Sequence, residues 1–349
     1  MKTKAYAAHS ADTPLKEFSF ERREPTDHDV EIEVLYCGVC HSDIHQAHSD
    51  WGPTKYPVVP GHEIVGRVSR TGSKVTKHQV GDIVGVGCLV NSCGQCDACQ
   101  RGLQQYCDNS VGTYNNIDPV DGEVTKGGYS QIEVVPEDFV LKIPQGLPLD
   151  QAAPLLCAGI TTYSPIRHWK VGKGTKVGVI GLGGLGHMAV KYAKSMGAEV
   201  HLITTSPGKA AKAKEYGADG VIVSTNAEAM KKYASYFDFL LDTVPVGHDP
   251  QPYIDLLAVD GSLVLVGPIS PMGDFHGRSL IGKRRAIAGS DIGGIPETQE
   301  MLDYSAAHNI LPEIEVIPIE KINDAYKTMM EKGMSYRYVI DMKASFKTA

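Results

Sequence analysis

Four cysteines, Cys93, Cys96, Cys99 and Cys107, follow the spacing C-x2-C-x2-C-x7-C within a chain of 349 residues. Four thiolates this close together can surround one tetrahedral ion, and all-sulfur ligation favours zinc. Between them stand Gly94-Gln95, Asp97-Ala98 and Gln100-Arg101-Gly102. These are loop formers, which suits a knuckle wrapped on an ion without helix or strand. A disulfide cluster would need an oxidising compartment, and iron–sulfur spacings usually differ, so zinc is the preferred reading. A closed four-sulfur site leaves no position open for chemistry, so the ion in this lobe, residues 88–110, should be structural.

A second set is scattered along the chain. Cys40-His41-Ser42-Asp43-Ile44-His45 follows the strand-like run Val30 to Tyr36, Pro60-Gly61-His62-Glu63 follows a turn, and Leu155-Leu156-Cys157-Ala158-Gly159 lies far downstream. Two cysteines and a histidine make a three-ligand site with a fourth position open, the arrangement of catalytic zinc. Taken singly, Cys157 reads as a buried core thiol, and Cys37 and Cys88 are read as strand or core thiols. What lifts Cys40, His62 and Cys157 above that is the nucleotide-binding pattern that follows them.

That pattern begins with the apolar strand Lys176 to Ile180, continues through Gly181-Leu182-Gly183-Gly184-Leu185-Gly186, and enters a helix-like stretch from His187 to Met196. A GxGxxG sequence set between strand and helix fits a tight turn, a close approach of backbone to pyrophosphate, and phosphates facing a helix N-terminus. Further strands are expected at Val200–Thr204, Gly220–Val223, Phe237–Asp242, Ser262–Val266 and Ala286–Gly289, with helices at Gly208–Tyr216 and Ala227–Ser235. Six strands alternating with helices define an α/β, doubly wound dinucleotide fold. An NAD site usually carries Asp or Glu at the end of the second strand. Here Thr204-Thr205-Ser206 stand there, with Lys209 and Lys212 beyond. Hydroxyls and cations in place of a carboxylate suit the 2′-phosphate of NADP.

The rest of the chain sets limits. A formal charge of −7 and a longest basic run of three residues, Lys283-Arg284-Arg285, leave no electrostatic footprint for nucleic acid, and that run reads as a solvated turn. No run of eighteen apolar residues suggests a membrane span, and Met1 to Tyr6 opens like a strand without a signal core. Seven of the eight cysteines lie between Cys37 and Cys107. Apart from Cys37 and Cys88 they read as metal ligands, in a reducing, cytoplasmic setting.

The chain resembles the zinc-containing medium-chain alcohol dehydrogenases, and within them the cinnamyl-alcohol-dehydrogenase-like, NADP-dependent aldehyde reductases. Cys37–Asp43, Pro60–Glu63, the four-cysteine lobe, Leu156–Thr161, Gly181–Gly186 and Gly293–Thr298 carry the resemblance over essentially the whole length. It implies a GroES-like β-barrel catalytic domain of residues 1–157 and 296–349, with a six-stranded Rossmann domain, residues 158–295, inserted between the halves. Ile322, Ala325, Tyr326, Met329 and Met330 form one apolar helical face, and Tyr336–Met342 returns as a strand.

The same resemblance implies roles. Cys40, His62 and Cys157 would hold a catalytic zinc, with Glu63 entering its shell transiently and Asp43 fixing the His62 tautomer. Ser42 and His45 would relay the proton while NADPH delivers hydride to an aldehyde carbon. His41, Thr161 and Arg337 would join Gly181, Gly183, Gly184, Leu185, Gly186, Thr204, Thr205, Ser206 and Lys209 in holding NADP(H). Where lignin-type relatives place bulky aromatics, this chain has Gly112 and Asp291, with Trp51 and Ile295 as apolar walls. A roomy, half-apolar, tolerant pocket and broad aldehyde reduction are expected, and a homodimer is the family expectation. Two other readings differ in class: a zinc-free reductase of the same superfamily, against which the three ligands argue, and a zinc-stabilised sensor, against which Ser42 and His45 argue.

Overall fold

The computed structural model describes every residue except 268, 269, 333–335 and 347–349. The chain divides into two compact units: Met1–Ile160, Gly293–Gly333 and Arg337–Ala349 make one, and Thr161–Ile292 with Met334–Tyr336 the other. The expected joints at 157/158 and 295/296 lie three residues from these. Where the first unit gives way to the second, a Cβ added to Gly293 would come within 2.5 Å of Ile160 Cδ1, so the last residue of the first unit's first piece and the first residue of its second touch where there is room only for hydrogen.

The first unit is built on a largely antiparallel sheet. Its order runs Ile314–Ile317, Arg337–Asp341, Asp29–Gly38, Ile64–Thr71, Ile83–Val86, Leu141–Lys142, with Ile132–Pro136 also paired to Asp29–Gly38. Asp29–Gly38 is the spine. Val30, Ile32 and Val34 are buried along it, as β-branched residues on a pleated core face should be. Cys37 is fully buried at its end. The C-terminal helix Ile322–Lys332 buries Ile322, Ala325, Tyr326 and Met329, but Met330 is 52% exposed, at the margin of the expected apolar face. The returning strand spans Arg337–Asp341 only, because Asp341 caps a short helix that takes Met342.

The second unit carries a six-stranded parallel sheet in the order Gly220–Val223, Glu199–Thr204, Lys176–Ile180, Phe237–Asp242, Leu257–Leu265, Ala286–Gly289. Numbered along the chain this is 3-2-1-4-5-6, the doubly wound arrangement in which ligands bind at the carboxyl ends of the strands beside the reversal of order. Val177, Val179, Val200, Leu202, Leu240 and Leu241 are fully buried, matching runs without polar alternation. Three details depart from expectation. The fifth strand starts earlier, at Leu257, which is buried and pairs with Phe237, although Val259 and Asp260 behind it are exposed. The helix expected over Ala227–Ser235 ends at Lys231, and Ser235 adopts φ 60°, which no helix accommodates. Arg285 is also no solvated turn residue: its guanidinium donates to the carbonyls of Leu257 and Ser279.

Candidate active site

In the four-cysteine lobe, Cys93 Sγ lies 3.9 Å from Cys99 Sγ and 3.5 Å from Cys107 Sγ. A tetrahedron with Zn–S bonds of about 2.3 Å has edges of about 3.8 Å, so the sulfurs fit one zinc ion and are far outside disulfide range. The lobe is more regular than its loop formers suggest. Asp97–Gln100 is a helical turn and Gln104–Tyr106 a 3-10 turn: the first carries Cys99 within it and Cys96 at its N-cap, and the second has Cys107 at its C-cap. Backbone N–H groups of Gln95 and Cys96, with the Cys107 thiol, pull Cys93 down to about 6, which favours the thiolate that a metal needs.

The second cluster draws on three segments of the first unit: one ligand atom each from Cys40, His62, Glu63 and Cys157 lie within 4.8 Å of one another, all buried. Cys40 stands at the start of the helix His41–Ala47, where Asp43 reaches back to accept from the Cys40 amide at 2.9 Å. His62 follows Gly61, whose φ of 101° and neighbours exclude a side chain: a Cβ there would lie 2.6 Å from Tyr129 Cδ1. Cys157 sits in a π-helical turn, Leu155–Gly159, a local widening that turns its thiol to within 3.9 Å of Cys40. That spacing again matches the edge of a zinc tetrahedron. The two thiols share a hydrogen bond that holds Cys40 well below, and Cys157 well above, the ordinary thiol range.

Asp43 fixes the histidine. Its Oδ1 accepts from the Gly61 amide and faces His62 Nδ1, both at 3.0 Å, which leaves His62 Nε2 as the ligand nitrogen. Glu63 pairs with Arg337, and burial, opposed by Arg337, pushes Glu63 up to about 7. Arg337 therefore directs its Nη2 at Glu63, while its Nε has no hydrogen-bond partner among the described residues. Ser42 Oγ is 3.6 Å from Cys40 Sγ. His45, one helical turn on, is held at Nδ1 by Asp50 at 2.8 Å and stacks on Trp51 with ring centroids 5.1 Å apart. Trp51 thus braces His45. Half-buried His41 is held below its usual range, mainly by burial.

Sequence reading missed several neighbours. Asp50 is the partner of His45, Tyr114 lays its ring 5.6 Å from that of His62, and Tyr129 reaches Asp43 at 3.3 Å. Cys88 is neither a strand nor a core thiol: it is half-buried, 3.8 Å from the Leu156 carbonyl, and its thiol helps to raise Cys157. Asp50 alone had a local signal, lying five residues beyond His45 and beside Trp51. Around Gly112 there is room: a Cβ would make only ordinary contacts, 3.5 Å to the Tyr114 carbonyl oxygen. Asp291 lies exposed beyond the last strand of the second unit, and Ile295 opens the helix Ile295–His308 of the first, its amide bonded to Gln104 Oε1.

In the second unit, Gly181 turns with φ 90°, and a Cβ on Gly186 would come within 2.2 Å of the Gly181 carbonyl oxygen. The turn is closed by Thr243, whose hydroxyl donates to the Ile180 carbonyl at 2.8 Å. The helix Gly186–Ser195 then begins, its N-terminus directed at the turn, with Gly183, Gly184 and Leu185 in between. At the end of the second strand Thr204 is buried, while Thr205 and Ser206 are exposed. Lys209 leans over the glycine turn, with Nζ donating to the Leu182 carbonyl at 3.0 Å. Lys212 meets Glu215 at 3.3 Å on its own helix, whereas Lys209 reaches the glycine turn. Thr161 is buried near the start of the helix Ile160–His168.

A GroES-like unit with one closed and one open thiolate set, joined in one chain to a doubly wound nucleotide unit, defines a zinc-dependent alcohol dehydrogenase, and the chain belongs to that family. Residues 26–145 match the alcohol dehydrogenase GroES-like domain and residues 184–307 the zinc-binding dehydrogenase domain. The chain is 54% identical to aldehyde reductase YahK of Escherichia coli over 98% of both chains. To NADP-dependent alcohol dehydrogenase C 1 of Mycolicibacterium smegmatis it is 52% identical over 97% of both. Among solved structures it is similar to a cinnamyl alcohol dehydrogenase of Sorghum bicolor, with a TM-score of 0.97 and 42% identity over 100% of each chain. It is also similar to the Helicobacter pylori enzyme complexed with NADP(H), with a TM-score of 0.93 and 44% identity over 99% of each. The resemblance read from the motifs is thereby confirmed, as is the α/β fold.

Proposed function

We propose that this oxidoreductase reduces a broad range of aldehydes to primary alcohols with NADPH, using one zinc at Cys40, His62 and Cys157 and a second at Cys93, Cys96, Cys99 and Cys107. The observation that carries this reading is the buried Cys40–Cys157 pair, 3.9 Å apart, beside a histidine whose other nitrogen faces Asp43. A zinc ion held there would supply Lewis acidity toward a carbonyl oxygen, and NADPH the hydride. Two thiolates balance the charge of that ion. Ser42 would exchange a proton at its hydroxyl, and His45, oriented by Asp50 and Trp51, would carry it to solvent. Thr204, Thr205, Ser206 and Lys209 would receive the 2′-phosphate, and the Gly181 turn the pyrophosphate.

The absence of rings at Gly112 and Asp291 supports tolerance rather than selection for lignin-type aldehydes, because stacking worth about 0.5–1.5 kcal/mol per aromatic pair is missing. Among the described residues no helix is long and apolar enough to cross a membrane. Eight free cysteines favour a reducing, cytoplasmic setting. The test pairs metal analysis with NADPH oxidation across benzaldehyde, cinnamaldehyde, butanal, a hydroxylated aldehyde and coniferaldehyde. Two zinc ions per chain and turnover of most members are expected. A coniferaldehyde kcat/KM more than about a hundredfold above all others would reject broad specificity, since it amounts to about 2.7 kcal/mol of discrimination in favour of one lignin-type aldehyde.

A further inference from the structure

Asp43 holds more than the histidine. Its carboxylate accepts from the amides of Cys40 and Gly61 and faces His62 Nδ1, so it ties together the two segments that bear Cys40 and His62. The last of its four lone-pair positions faces the hydroxyl of Tyr129, 3.3 Å from Oδ2. A carboxylate only accepts, so Tyr129 donates to it, and the Tyr129 oxygen is left to accept from Tyr326, 3.5 Å away. The order of donation is therefore set: Tyr326 to Tyr129 to Asp43. Both phenols are buried, and burial, with the Asp43 charge, keeps each protonated as a donor.

The backbone reinforces this placement. Gly127, Gly128 and Tyr129 donate in turn to the carbonyls of Val59, Gly61 and Pro60, so the Tyr129 segment runs alongside the stretch that delivers His62. Gly61 lacks a side chain where the Tyr129 ring passes. The ring has thus been brought against the metal-bearing turn, with its hydroxyl aimed at the one carboxylate that orients the ligand.

We propose that Tyr129, itself oriented by Tyr326, is a positioning residue for the metal site: it completes the shell of Asp43 so that His62 is held with Nε2 toward the ion. Without it a buried carboxylate oxygen loses a donor, and Asp43 is freer to turn from His62. The inference rests on the assignment of zinc to Cys40, His62 and Cys157. Tyr129→Phe keeps the ring and its packing and removes only the hydroxyl. Zinc release from the purified holoenzyme to a chromophoric chelator separates the two sites, because Cys40→Ala identifies the ion of the open set.

Tyr129→Phe is expected to weaken retention of that ion by about tenfold, the low end for loss of an outer partner, and to leave the four-cysteine ion unchanged. In an Asp43→Asn background the same substitution should add little, since the group that it acts through has been altered. Tyr326→Phe should give a smaller effect in the same direction. Retention within twofold of wild type, or an undiminished effect of Tyr129→Phe on Asp43→Asn, overturns the proposal while leaving the zinc assignment intact. A wild-type protein with no ion that Cys40→Ala removes overturns both.

Discussion

At the scale of single residues, the proton path and the cofactor end are separable. The Ser42 hydroxyl lies 3.6 Å from Cys40 Sγ, whereas His45 stands a helical turn away and is 22% exposed at its side chain. Ser42→Ala should therefore remove most activity, and His45→Gln should slow turnover only about tenfold, because water can replace an outer relay. Steady-state kcat for both variants decides, and equal, negligible losses would place the path elsewhere. At the other end, Thr204→Asp sets a carboxylate where a phosphate of charge near −2 is expected. Charges about 4 Å apart interact by roughly 1 kcal/mol in water and about 4 at intermediate dielectric. The NADPH over NADH preference in kcat/KM should fall by at least about tenfold. Equal use of both cofactors by the wild type would reject the assignment of this strand end.

At the scale of elements, the two metal sets depend on their surroundings in opposite ways. Cys93, Cys96, Cys99 and Cys107 hang on short turns, Asp97–Gln100 and Gln104–Tyr106, with little apolar content of their own. Cys40, His62 and Cys157 are anchored by a helix start, the turn before the interior strand Ile64–Thr71 and a π-helical turn, and all three residues are buried. Cys99→Ala should lower the apparent Tm and loosen the lobe to proteolysis, whereas Cys40→Ala should abolish turnover with the Tm little changed. Thermal scans with metal analysis check both, and an active Cys40→Ala protein would reject the assignment. The same contrast explains what could be read from the sequence. Ligands within fifteen residues of one another, and a glycine turn set between one strand and one helix, are local patterns fixed by backbone geometry. Tyr129 and Asp43 meet across 86 positions, and Arg337 and Glu63 across 274, through sheet pairing that no local period encodes. Arg285 and Met330 went astray for a related reason: burial of a residue at the margin of an element is decided by what packs there, not by its own spacing.

At the scale of the whole molecule, the last strand, Ala286–Gly289, pairs only with Leu257–Leu265 within the described sheet, so its outer edge has backbone groups left to pair. Exposed Val259 and Ile281 lie on the segments beside it. We propose that a twofold pairing of such edges would satisfy both chains, in which case light scattering should give a dimer of twice the 37.7 kDa chain mass. A monomer at micromolar concentration would reject it.

The contact of Gly293 with Ile160 has an engineering consequence. Because the nucleotide-binding unit leaves the chain where it entered, the two severed ends of the remaining polypeptide would already be neighbours, and one or two small residues could splice them. The spliced product would keep both thiolate sets on one chain, and the excised gap would be a port for grafting a different nucleotide-binding module beside the same metal ligands.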